Sequence, residues 1–218
     1  MGAVGRDLGR EDGDGTGAWV AEHRGGTGAD TLGRRVELDL HAPAHARHAT
    51  ADPFVRRGDD VAQLKVGAKA PAITLVDQKG KKVRLADFKG RPVVVYFYPK
   101  ADTPGCTKQA CALQEALPAM RRLHAQVVGI SPDAPDKQKK FADKYGLRFP
   151  LLADEDHAVA NAWGTWGTKS LYGRSFKGII RSAFVIDPAG KVAATFYKVS
   201  PTATLGKVMG ALEDLKER

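Results

Sequence analysis

Apolar positions carry no period over the first 60 residues and become strongly patterned after them. "AITLVD" (72–77) and "KKVRLADF" (81–88) flank a Lys-Gly turn, which predicts a small β-hairpin. "PVVVYFYP" (92–99) holds six apolar residues in a row, the pattern of a strand buried on both faces. Leu113, Leu117, Met120 and Leu123 then share one face of a helix. "QVVGIS" (126–131) predicts a strand, and "DKQKKFADKYG" (136–146) a solvated helix. Further on, "RSAFVID" (181–187) and "KVAATFYKV" (191–199) straddle Pro-Ala-Gly and predict a second hairpin. The chain closes on a helix with Leu205, Val208, Met209, Leu212 and Leu215 along one side.

Strand, helix, strand, helix, then hairpin and helix is the order of a thioredoxin-like fold. The prediction is an α/β domain over residues 61–218, with a central mixed sheet flanked by helices. Residues 1–60 read differently. They hold 11 of the 24 glycines and no lysine, the first being Lys65, and predict a disordered N-terminal extension. "HAPAHARH" (41–48) reads there as a low-complexity polar tract, since no cysteine or ordered acidic partner supports a metal site.

Charge follows the same boundary. Residues 1–60 carry a net charge of −3 and the remaining 158 a net of +12. That surplus suits phosphates or acidic partners in principle. No basic run is interleaved with aromatics, so nucleic acid is not an expected partner. No apolar run approaches the roughly 20 residues of a membrane helix, and "MGAVGR" begins no secretory signal. Two cysteines do not make a disulfide framework, so the expected setting is reducing and cytoplasmic.

Both cysteines lie in "TPGCTKQAC" (103–111), five residues apart. This spacing fits neither a zinc knuckle nor the C-x-x-C redox pair. The strand ending at Pro99 feeds "KADTPGC", so Cys106 sits where a strand turns into a helix. Thr103 suits the N-cap, Pro104 the first helical position, and Cys106 then falls at the third. The positive helix end and its unpaired N–H groups favour a thiolate there, with Lys100 and Lys108 near in sequence. The bland alternative is an inert buried cysteine, against which the cap, the proline and the helix start all count.

"FYPKADTPGCTKQAC" resembles the active-site segment of peroxiredoxins of the bacterioferritin comigratory protein, or peroxiredoxin Q, subgroup. The family's Pro-x-x-x-Thr-x-x-Cys motif falls on Pro99, Thr103 and Cys106 without a gap. The likeness continues through "LLADEDHAVANAWGTWG" and "KSLYGRSFKGIIRSAFVID" into the final helix, over roughly residues 62–217. It implies a peroxidase that needs neither cofactor nor metal. By this resemblance Cys106 is the peroxidatic nucleophile, and its thiolate reduces hydrogen peroxide or organic hydroperoxides and becomes a sulfenic acid. Arg181 would orient the peroxide and support the thiolate, Thr103 would hydrogen-bond both, and Pro99 would shield the pocket. Cys111 would resolve the sulfenic acid as a Cys106–Cys111 disulfide, recycled by thioredoxin or a similar dithiol. An intact helix sets residues five apart about 7.5 Å along its axis and some 140° round it, so closing that bond requires the first turns to unwind. Intramolecular resolution removes any need for a dimer, and a monomer is expected. A thiol–disulfide oxidoreductase on the same fold is the alternative, with the C-x4-C spacing against it. The likeness does not reach residues 1–60. These are either a genuine tail or the product of a start codon placed too far upstream, with Val61 opening a peroxiredoxin-like N-terminus.

Overall fold

A computed structural model describes residues 54–55, 62–171 and 174–217 of the chain. They fall within one compact unit, residues 49–218. Most of the predicted extension, with its histidine-rich tract, lies outside the described residues. Upstream of the predicted boundary, β1 (Phe54–Val55) pairs antiparallel with β2 (Gln63–Leu64).

The centre of the molecule is β5 (Val93–Phe97), the all-apolar run, in which every residue is buried. Its β-branched valines suit a pleated strand packed on both faces. It runs parallel to β6 (Gln126–Ser131), which runs parallel to β7 (Leu151–Ala153). On its other side it pairs antiparallel with β10 (Ser182–Ile186), and β10 with β11 (Val192–Phe196). The hairpin of β3 (Thr74–Asp77) and β4 (Lys82–Arg84) joins at β7. The sheet order is β11-β10-β5-β6-β7-β3-β4, a mixed sheet as expected.

Alternation along β5 divides the core into two layers. Val94 and Tyr96 join Tyr98, Cys106, Ala110, Leu113 and Met120, beneath α1 (Pro104–Glu115) and α2 (Leu117–Arg122). Val208 and Leu212 of α5 (Thr204–Lys216) join that layer, as does Phe141 of α3 (Pro135–Tyr145). Val93, Val95 and Phe97 face the opposite layer, with Trp163 and with Val159 of α4 (Ala158–Ala162). Each fully buried apolar side chain of this kind contributes about 1.5–3 kcal/mol.

Three local expectations are corrected. The helix read through Leu113 to Leu123 breaks at Ala116, because Pro118 brings no N–H and its ring would strike the preceding turn. The stretch read as a strand to Phe88 ends at Arg84 and continues as a 3-10 turn (Leu85–Phe88). The helix read as solvated buries Gln138, Phe141 and Ala142 on one side and stops at Gly146 in a left-handed conformation. The pattern also passed over β7, α4, and the separate hairpin of β8 (Trp166–Leu171) and β9 (Arg174–Ile179).

Candidate active site

The β5–α1 connection delivers Cys106. After β5, Tyr98 continues the buried run and Pro99 is half-buried. The loop is then fastened at two points. The Ala101 N–H donates to Asp133 Oδ2 at 2.6 Å, and Ser131 Oγ donates to the same oxygen at 2.9 Å. Asp102 takes a left-handed φ of 57° and receives Lys144 Nζ at 2.8 Å and Tyr145 Oη at 2.7 Å from α3. Those two donors, Lys144 first, hold its carboxyl below the ordinary range.

Thr103 occupies the N-cap position with extended backbone, and Pro104 opens α1. Its carbonyl accepts the Thr107 N–H at 2.8 Å. The hydroxyl does not cap the helix as expected; it donates backwards to the Lys100 carbonyl at 3.0 Å. Lys100 and Lys108 are exposed to solvent.

Cys106 is buried, at 1% exposure, and its cation is supplied from elsewhere in the chain. Arg181 Nη2 donates to Cys106 Sγ at 3.3 Å. The sheet makes this meeting possible, because Arg181 stands just before β10, whose start pairs with the end of β5 at Ser182 and Phe97. Gly105 leaves the room needed: a Cβ there would come 3.3 Å from Pro201 Cγ and 3.5 Å from Arg181 Nη2.

A residue absent from the sequence reading holds the guanidinium. Gln109 is fully buried, and its Oε1 accepts a hydrogen bond from Arg181 Nη1. Its Nε2 donates to Thr204 Oγ1 at 2.9 Å, and Thr204 Oγ1 donates to the Ser200 carbonyl at 2.9 Å. The chain Cys106–Arg181–Gln109–Thr204 thus ties α1, the edge of β10 and the start of α5. One signal was available: Gln109 stands three residues from Cys106 on the same helix face, and a buried amide requires partners. No carboxylate of the described residues pairs with Arg181.

Lys169 on β8 is a second cation, also missed. Its Nζ donates to the Ile179 carbonyl at 2.9 Å, two residues before Arg181. Burial first, then repulsion from Arg181, lower its pKa, while Cys106 acts in the opposite sense.

Cys111 lies on α1 as well and is partly buried. Burial, then the Glu115 carboxylate, pushes its thiol up. Both cysteines are free thiols, and α1 is continuous between them. Of the five predicted site residues, the structure joins Cys106 directly to Arg181, places Thr103 and Pro99 in the loop leading to Cys106, and sets Cys111 further along the helix.

A buried thiol beside an uncompensated guanidinium, at the end of a central strand, is equipped for nucleophilic redox chemistry. Comparison with known proteins agrees. The model of the AhpC/TSA family matches residues 66–195. A putative peroxiredoxin of Mycobacterium tuberculosis is 50% identical over 146 residues, covering 67% of this chain and 93% of that protein. Peroxiredoxin Bcp of Escherichia coli is 49% identical over 133 residues, 61% of this chain and 85% of that one. The bacterioferritin comigratory protein of Xanthomonas campestris, in trapped intermediate and ligand complexes, superposes with a TM-score of 0.64 at 31% identity, over 69% of this chain and 98% of that one. With the expected motif and fold both in place, the chain belongs to the AhpC/TSA family, as a peroxiredoxin of the bacterioferritin comigratory protein type.

Proposed function

We propose that the chain is a thioredoxin-dependent peroxidase that cycles through a Cys106–Cys111 disulfide. The contact of Arg181 with Cys106 Sγ at 3.3 Å, with no competing carboxylate of the described residues, carries this reading. The Cys106 thiolate gives an electron pair to the terminal peroxide oxygen, and the O–O bond breaks. The departing oxygen takes up a proton and leaves as water or alcohol; the transferred oxygen keeps its hydrogen, giving a sulfenic acid. Arg181 bridges the thiolate and the oxygen on which negative charge develops. The Thr103 hydroxyl donates its hydrogen bond to the Lys100 carbonyl, so towards the peroxide O–H it serves as an acceptor. Pro99 closes the pocket to bulk water.

The Cys111 thiolate then attacks Cys106 sulfur. The S–S bond forms as the S–O bond breaks, and the hydroxide leaves as water. A thioredoxin-like dithiol reduces the disulfide. The Xanthomonas protein is described as reducing alkyl peroxides, and organic hydroperoxides are assigned here beside hydrogen peroxide. Because both thiols belong to one helix, the cycle is completed within a monomer, in a reducing cytoplasm. The peroxidase is assigned to residues 61–218.

With thioredoxin, thioredoxin reductase and NADPH, NADPH oxidation is expected only when peroxide is added, and at the same rate for a chain beginning at Val61. Disulfide reduction without peroxide dependence would overturn the assignment. Arg181→Ala is expected to lower the second-order rate of Cys106 with peroxide about a hundredfold in rapid-mixing measurements. An unchanged rate would remove Arg181 from the mechanism.

A further inference from the structure

Tyr96 lies on the central strand, one residue before its end, with its side chain fully buried. It belongs to the layer beneath α1, with Cys106, Ala110 and Leu113. The ring stacks on Tyr98 at 5.4 Å and meets the edge-on ring of Phe149 at 6.1 Å. Its tip lies across Gly129, its register partner on β6. A Cβ at position 129 would stand 2.8 Å from both Tyr96 Cζ and the hydroxyl oxygen, so glycine alone admits this placement. All this fixes the phenol oxygen inside the apolar layer, where no group of the described residues bonds it.

Tyr98, two residues on and facing the same way, shows the contrast: its hydroxyl donates to Gln138 Oε1. The same layer therefore holds one satisfied phenol and one orphan. Burial raises the Tyr96 pKa well above the ordinary value, so the group remains an O–H donor. Cys106, Ala110 and Leu113 of α1 belong to the same buried layer, which puts the orphan donor in the core beneath the helix that carries both thiols.

A buried hydroxyl without a partner weakens the state that buries it. Phenylalanine would fill the same volume without this cost. We infer that Tyr96 is a positioning residue for the resolving step: its unsatisfied hydroxyl loosens α1 on the sheet and favours the unwinding that brings Cys111 to Cys106. Unwinding of α1 opens the layer that holds the phenol, and the donor can then gain the partner that the closed state denies it. The inference rests on the reading of Cys111 as the resolver.

Tyr96→Phe tests it in two independent ways. In the reduced protein, hydrogen exchange of amides 105–111 is expected to slow about tenfold, with the amides of β6 unaffected. In single-turnover experiments the reaction of Cys106 with peroxide keeps its rate, while disulfide formation slows about tenfold and sulfinic acid accumulates at correspondingly lower peroxide. Tyr98→Phe is the control of opposite sign, because it strands Gln138 and loosens the same layer. If wild-type protein forms no Cys106–Cys111 disulfide, the resolver reading fails, and the exchange measurement still judges Tyr96. If the disulfide forms and Tyr96→Phe changes neither its rate nor the exchange of amides 105–111, or speeds both, the inference about Tyr96 is overturned.

Discussion

Cys106→Ser is expected to reduce peroxide turnover to background while leaving the fold intact. The nucleophile must be an anion of high intrinsic reactivity, and an alcohol beside a guanidinium remains an alcohol at neutral pH. The chain's other thiol, Cys111, sits further along α1 without the Arg181 contact and cannot take over the first step. The fold should tolerate the change, because serine is close to cysteine in size and offers Arg181 Nη2 an oxygen in place of sulfur. A stability loss of about 1 kcal/mol, read from denaturant midpoints, is the expected cost. Turnover of the serine variant near the wild-type rate, with the fold retained, would remove Cys106 as the nucleophile.

Cys111→Ser should separate the two halves of the cycle. A single equivalent of peroxide is consumed at the normal rate, and the sulfenic acid persists long enough for a dimedone-type probe to label it. Thioredoxin-linked cycling then slows about a hundredfold or more, since an external thiol lacks the effective concentration of one held on the same chain. The wild-type resolving step should also quicken as pH rises. Burial and Glu115 raise the Cys111 pKa in the helix, so the helix gains stability from keeping the thiol protonated. This gain is complete below the pKa of the released thiol and is lost as pH rises through the value in the helix. Alkaline pH thus favours both unwinding and the attacking thiolate. Normal cycling by the serine variant would mean that the reductant attacks Cys106 directly.

The parts legible in the sequence are those decided locally. Six consecutive apolar residues marked β5, and Thr103-Pro104 marked the helix start. Gln109 escaped because its partners Arg181 and Thr204 lie 72 and 95 residues away, a relation no spacing displays. Arg181 itself was found by motif, not by pattern. The break at Ala116 had a visible cause in Pro118, but the apolar spacing across it was read as a single face. The three residues of β7 are too few to show a period, and β8 and β9 pair only with each other, without the alternation of a half-buried sheet. Thr103 takes the N-cap position expected of it, but its hydroxyl turns back to the Lys100 carbonyl, because the cap position does not dictate the rotamer.

Gln109 sits on the same helix as Cys106, with Asp102 fastened to α3 upstream and the Arg148 N–H donating to Gln114 Oε1 at 2.7 Å downstream. The stretch between them thus has both ends tied to other parts of the chain. When that stretch opens on the proposed cycle, Arg181 loses its tie to Thr204 at the moment Cys106 loses Arg181. On that proposed cycle, the form that strikes peroxide and the form that offers a disulfide to a reductant are mutually exclusive. A spent molecule would then shelter no peroxide it is unable to reduce, and a reductase would tell spent from fresh by one segment of one helix.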